Sequence, residues 1–188
     1  GGVTFSKGKH KAYASVAYAG KEPNRNDFVD AIDPSNVRSE FMLNTEVGYG
    51  LTFEKFSVRL NAYSMEYKDQ LVLTGALNDV GAPLRANVAE SYRRGLELEM
   101  GMKLPLGFFA EGNVTWSRNR IALFEEVMYA STDTSVSELR NTYTDTPIAF
   151  SPDWIGAAQL GWTVSPKKLA WMKKLEIAWI SKYVSDQF

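Results

Sequence analysis

Cysteine is absent from the 188 residues, which excludes disulfides and thiolate metal sites and fits an oxidising or extracytoplasmic compartment. Long apolar runs are also missing. No stretch of about eighteen apolar residues occurs, so a transmembrane helix is ruled out. The single histidine, His10, sits between Lys9 and Lys11, the setting of a solvated turn residue rather than of a catalytic base. Charge bias is lacking as well: 21 basic against 22 acidic residues give a net charge of −1. That leaves no electrostatic case for nucleic acid or an anionic surface. No nucleophile elbow, phosphate-cradling glycine loop or metal motif is found. Catalysis has no support, and no cofactor or metal is expected. A signal peptide is missing too, and Gly1-Gly2 running straight into Val3-Thr4-Phe5 reads as a boundary inside a longer protein.

What is present is alternation. In 108–119, Phe108, Ala110, Val114 and Trp116 fall on one face, and Glu111, Asn113, Thr115, Ser117 and Asn119 on the other. Such period-two patterning over about twelve residues is longer than a usual soluble strand. The stretch 95–103 sets Leu96, Leu98 and Met100 against Glu97 and Glu99. Similar runs cover 43–51, 154–164 and 175–183, while 13–19 is small and ambiguous. In 56–67, Phe56, Val58, Leu60 and Ala62 oppose Arg59 and Asn61; Tyr63, Met65 and Tyr67 then suggest a change of phase at a bulge. Only 121–130 reads as a candidate helical turn.

The gaps between these runs alternate in length. Short ones fall near 6–10, 48–54, 103–107 and 165–174; long ones span 20–39, 75–91 and 121–149. Antiparallel up-and-down order then puts all the long excursions at one end. Bacterial outer-membrane barrels pair short periplasmic turns with long extracellular loops in this way. Aromatics make up 13% of the chain, and Phe56, Phe108, Phe109, Trp162 and Trp171 lie by the short turns as a girdle would. A soluble sheet with a solvated outer face is the competing reading. Strand length favours a tilted span of hydrocarbon with a polar lumen.

Few residues outside the strands carry chemistry. Glu125, Glu126 and Asp133 suit a cation or a merely solvated loop. Arg93 and Arg94, with Arg85 nearby, form a basic cluster that serves either salt bridges at the sheet edge or contact with an anion.

Several segments, in order, carry a family resemblance. Lys21-Glu22-Pro23-Asn24-Arg25-Asn26-Asp27-Phe28 is similar to the Glu-Pro-x-Arg-x-Asp segment that opens a long loop in TonB-dependent outer-membrane receptors. The run 61–72, with its tyrosines, resembles a strand of that family. Asn87-Val88 followed by Ser91-Tyr92-Arg93-Arg94-Gly95-Leu96-Glu97-Leu98-Glu99 resembles its Gly-x-Glu-x-Glu strand. Segments 113–121, Phe150-Ser151-Pro152 and Ser181-Lys182-Tyr183-Val184 continue the match, which covers nearly the whole chain.

The resemblance implies an all-β antiparallel meander, part of a roughly 22-stranded transmembrane β-barrel. Residues 1–188 would supply about seven or eight of its strands, with the plug domain, its TonB box and the remaining barrel strands outside them. On this reading Phe188 is a cut rather than the closing strand's terminal aromatic. The implied function is energy-coupled uptake of a scarce nutrient, such as a ferric siderophore or cobalamin, across a Gram-negative outer membrane. Its partners would be the outer-membrane bilayer, a siderophore-like small molecule and, through the plug, the TonB complex. Ligand contact is expected from the long loops and upper lumen, with Arg85, Arg93, Tyr129 and Tyr143 as candidates: aromatics stack on planar groups and Arg pairs with anions. The alternatives are a small β-barrel binding module and a carbohydrate-active β-sandwich enzyme.

Overall fold

The computed structural model describes residues 1–31, 33–78, 80–132, 135–165 and 174–187; for 75–77, 125–132 and 135–140 it describes the backbone alone. Nine strands account for most of these residues: β1 (Gly2–Lys7), β2 (His10–Lys21), β3 (Glu40–Thr52), β4 (Phe56–Leu77), β5 (Pro83–Lys103), β6 (Phe108–Thr132), β7 (Ser135–Pro147), β8 (Trp154–Val164) and β9 (Leu175–Val184). They form a single antiparallel sheet in the order β1-β2-β3-β4-β5-β6-β8-β9, with β7 also on β6. One short helix, α1 (Arg25–Val29), lies between β2 and β3. This is an all-β up-and-down meander.

The pleat sorts the side chains by chemistry. One rung across β3, β4, β5 and β6 reads Tyr49, Leu60, Leu98, Val114; the adjacent rung reads Gly48, Asn61, Glu97, Thr115. Successive residues of a strand point to opposite faces, so the first rung lies on an apolar face and the second on a polar one. The apolar face is not covered by protein: Leu160 is 50% and Trp179 70% exposed. A sandwich would bury such residues under a second sheet, and none exists among the described residues. Aromatic pairs mark both ends of the apolar band, Phe108–Trp162 and Phe53–Phe56 at the short-turn end and Tyr18 stacked on Phe41 at 5.8 Å at the other. Of the expected girdle, Phe109 departs. It pairs with Gly161 on the polar face, and Trp171 lies outside the described residues.

The strands run further than the sequence suggests. The expected phase change at Tyr63 does not occur, because β4 holds one register against both neighbours from Ser57 to Lys68. Tyr63, Met65 and Tyr67 therefore stay on the polar face. A break comes later, at Asp69, whose φ is +52°. Beyond it Gln70 accepts a 2.6 Å hydrogen bond from the Ser91 hydroxyl. Ser91 is the cross-strand partner of Tyr67, so Gln70 has returned to the polar face one residue early. The excursions 75–91 and 121–149 are mainly hairpins rather than loops, and the 121–130 stretch is strand in β6.

All three excursions rise from one end. The first holds α1, whose N-cap Asn24 accepts from the backbone N–H groups of Asn26 and Asp27, while Asp27 accepts from Asn24 N in return. The second is the tip of β4–β5, where the Asn78 carboxamide accepts from Val80 N and Ala82 N. The third is β6–β7. Here β7 and β8 share one edge of β6: Arg120 pairs with Pro147 and Trp116 with Trp154. Residues 117–119 thus face the longer stretch 148–153, a wide bulge in an otherwise continuous strand. At the opposite end, tight turns join β1 to β2, β3 to β4 and β5 to β6. The β8–β9 turn, at 166–173, lies outside the described residues.

Candidate functional site

The polar face is a connected wall. Tyr13 Oη donates to Asn61 Oδ1 at 2.8 Å, and Asn61 Nδ2 donates to Glu97 Oε2 at 3.0 Å. Register dictates this row, since Tyr13, Gly48, Asn61 and Glu97 occupy one rung across β2 to β5. One rung nearer the short turns, Arg59 Nη1 meets Glu99 Oε2 at 2.6 Å. Glu46 accepts from Asn44 Nδ2 at 2.7 Å. Glu111 lies across from Gly101 on the same face. This stretch is rich in carboxylates.

Toward the hairpin end the chemistry changes. Segment 148–153 ties back onto β6: Ile148 N donates to Asn119 O, Ser117 N to Asp153 O, and the Ser117 hydroxyl to Pro152 O at 3.0 Å. Ile148 packs with Val72, Val88 and Ile121 in a small buried cluster, the only apolar core among the described residues. That packing sets Ser151 over β5, where Arg93 Nη1 donates to its hydroxyl at 3.2 Å. Arg93 also engages the Tyr67 hydroxyl, which itself lies 3.6 Å from Met65 Sδ. Tyr63 sits against Gly95 and Ser117. The result is a hydroxyl-rich patch of the wall with one guanidinium in it.

A separate charged system lashes the first excursion to the second. Asn87 clamps the Arg38 backbone in both directions, with Arg38 N donating to its Oδ1 at 2.9 Å and its Nδ2 donating to Arg38 O at 3.0 Å. Arg38 pairs with Asp69 at 3.7 Å and Arg85 with Asp27 at 3.8 Å. Asn78 Nδ2 adds a bond to Asp30 at 3.2 Å. In the loop itself, Asp33 accepts from the side chain and backbone of Ser35, which holds its carboxyl below the ordinary value.

The four residues expected to meet ligand do not converge. Arg93 is half-buried on the polar face. Arg85 pairs with Leu73, one residue along from Val72 and so on the opposite face, where it serves Asp27. Tyr143 stands in β7 across from Phe124 and Tyr129 in β6 across from Glu138; the Tyr129 side chain lies outside the described residues, as do those of Glu125, Glu126 and Asp133. Sequence reading missed Tyr63, Tyr67 and Ser151 as neighbours of Arg93. Tyr63 reads in the sequence as a residue of a bulge, and the partnership of Ser151 with Arg93 spans 58 positions.

A protein-family model described as TonB dependent receptor-like, beta-barrel, matches residues 2–187. The chain belongs to this family. Among solved structures, the barrel resembles the FrpB iron transporter from Neisseria meningitidis at 19% identity and a TM-score of 0.60, over 97% of this chain and 25% of that one. The copper transporter OprC is similar at 13% identity and a TM-score of 0.59, over 86% and 22%. The siderophore receptor PirA from Pseudomonas aeruginosa follows at 14% and 0.54, over 97% and 41%. These likenesses concern the fold. This TonB-dependent receptor barrel segment therefore spans less than half the length of each of them. No curated protein matches it in sequence. The polar face corresponds to the lumen of such a barrel, the apolar face to its lipid-facing surface, and the tight turns to its periplasmic end.

Proposed function

We propose that these residues form part of the wall of an energy-coupled outer-membrane receptor in a Gram-negative bacterium, which takes up a scarce nutrient such as a ferric siderophore or cobalamin. The observation that carries this reading is the pairing of a lipid-compatible apolar face with a hydrogen-bonded polar face along one family-matched meander. Strands β1 and β9 are its edges. Unpaired backbone groups facing hydrocarbon cost several kcal/mol each, so both edges join further strands of a roughly 22-stranded barrel. A plug domain within that barrel receives the TonB complex and releases the ligand.

Ligand contact comes from the upper lumen and the extracellular hairpins, with Arg93, Tyr143 and Tyr129 as the contributing residues, whereas Arg85, on the outer face, serves its pair with Asp27. The wall supplies fixed donors and acceptors, and the gating movement belongs to the plug. In cells that make the full-length receptor, uptake of its nutrient should stop when the inner-membrane energy supply is collapsed, while binding persists. Uptake that continues without energy would reject the proposal in favour of a simple pore or binding barrel.

A further inference from the structure

We propose that the short-turn end of the apolar face is a binding surface for anionic phospholipid headgroups of the periplasmic leaflet. The inference rests on the orientation of the barrel and not on the nutrient it takes up. The net charge of −1 conceals how the charge is placed. The three described tight turns and the residues beside them hold Lys7, Lys9, Lys11, Lys55 and Lys103 against one carboxylate, Glu54. Two of these lysines lie on the lipid side. Lys7, His10, Leu51, Val58 and Met100 share one rung of the apolar face, so Lys7 stands at the turn end of that band. The Lys9 ammonium sits 4.4 Å from the centre of the Phe53 ring, an attraction between cation and aromatic face. His10 Nδ1 lies 2.7 Å from Tyr49 Oη on the same side. Among the described residues neither Lys7 nor Lys9 meets a carboxylate.

The opposite end of the same face is built differently. There Arg94 pairs with Glu66 at 2.9 Å, Arg120 with Asp153 at 3.7 Å and Arg118 with Asp145, while Lys68 stands across from Glu90. Cations at the hairpin end are thus neutralised within the chain, and Lys7 and Lys9 are not. Lysine stems lie along apolar surface while the ammonium reaches the headgroups, and each lysine near an anionic bilayer surface strengthens association about fivefold. An apolar anchor accompanies the charge. Leu106, at the β5–β6 tip, is 87% exposed and holds a φ of +60°, which bulky residues rarely adopt. Its carbonyl accepts from Trp162 Nε1 at 3.0 Å, so the indole holds the leucine out beside the Phe108–Trp162 pair. Unpaired lysines, aromatic rings and an exposed leucine together grip the interface of an anionic leaflet. Because these groups continue the hydrocarbon-facing band, the occupant is a lipid and not a soluble anion.

The test places photoreactive benzoylphenylalanine at Phe5, which shares the apolar face with Lys7. Full-length receptor carrying it is reconstituted into vesicles of equimolar phosphatidylglycerol and phosphatidylcholine. Mass spectrometry of the adducts after illumination should show at least about fivefold more of the anionic lipid, a bias that shrinks at high salt. Lys7→Gln combined with Lys9→Gln should bring the two lipids close to equal capture. Lys11→Gln, next to His10 but on the polar face, should leave the bias unchanged. The same probe at Tyr18, at the hairpin end of the apolar face, should show no preference. Heat-modifiable mobility on gels reports whether each variant is folded; if the Phe5 variant is not, the probe moves to Phe53. Equal capture of the two lipids, a bias that survives loss of both lysines, or the same bias at Tyr18 overturns the proposal. So does a protein adduct in place of phospholipid in intact cells, which would make the turn end a partner's docking surface. Energised uptake is scored separately, and its failure counts against the proposed function alone.

Discussion

The Tyr63 ring lies across Gly95 so closely that a Cβ on the glycine would stand 2.6 Å from the tyrosine Cζ. The same contact recurs between Tyr13 and Gly48, at 2.1 Å to Cε1, and between Phe109 and Gly161, at 2.2 Å to Cζ. All three pairs are on the polar face, where no second layer among the described residues packs an aromatic. The neighbouring strand's glycine provides a seat for the ring instead.

Gly48→Val should therefore destabilise the barrel, by about 1–3 kcal/mol if the ring is displaced without wider repacking. Tyr13→Ala in the same background should recover part of the loss, since the added methyls then fill the vacated space. Unfolding of the full-length receptor in urea, read by the heat-modifiable band, measures both. Equal stability of Gly48→Val and wild type would show that the ring does not depend on the glycine.

The two faces should respond oppositely to charge. Leu98 lies between Leu60 and Val114 on the lipid-facing rung, and Leu98→Arg should cost about 2–4 kcal/mol if that level is near the bilayer midplane. Thr115→Arg, on the adjacent luminal rung beside Glu97, should cost far less. Folding of both variants into vesicles gives the comparison.

The clasp between the first two excursions should depend on Asn87 more than on Arg85. Asn87 makes two bonds across the joint, both to the Arg38 backbone, and is itself held to β4 by a third, to Asp69 O at 2.6 Å. Arg85 and Asp27 stand 3.8 Å apart at a partly exposed site, the kind of ion pair worth about 0–1 kcal/mol. Limited proteolysis of the full-length receptor should cut within 22–39 faster in Asn87→Ala than in Arg85→Ala. The reverse order would mean that Arg85 is the main fastening.

Asp145, in β7 beyond the apolar belt, is held below the ordinary carboxyl value, first by the hydrogen bond from Arg118 and then by the one from Tyr92 at 3.0 Å. Both favour the ionised form. A carboxyl depressed on folding adds stability above its unfolded value, about 3.9, and that contribution is lost as pH falls through the lower folded value. Side-chain carboxyl NMR should place the Asp145 midpoint below that of an unstructured Asp. Tyr92→Phe should move it part of the way back, and Arg118→Gln further.

Much of the barrel is written in the chain because period two is a local property. Leu96, Glu97, Leu98 and Glu99 declare their faces without reference to any partner. The same rule misleads at Tyr63, since an aromatic on a luminal face looks like a residue that has changed sides. Only the glycine on the next strand explains it. Strand ends were harder to read: polar residues of the extended hairpins resemble loop, and nothing in 121–130 reveals that 135–147 will pair with it. Arg93 was recognisable as a candidate. Its lack of a carboxylate was not, because the partners that claim the other arginines lie far away in sequence, Asp27 from Arg85 and Glu99 from Arg59 among them.

The wide bulge at 148–153 separates two tasks within one strand column. Below it, β8 is locked to β6 by the register that the membrane span requires; above it, β7 follows a register of its own. Residues gained or lost in the β6–β7 hairpin are thus absorbed at the bulge instead of being passed down to Trp154 and beyond. The hairpin is free to vary in length and sequence, while the span inherits none of that variation.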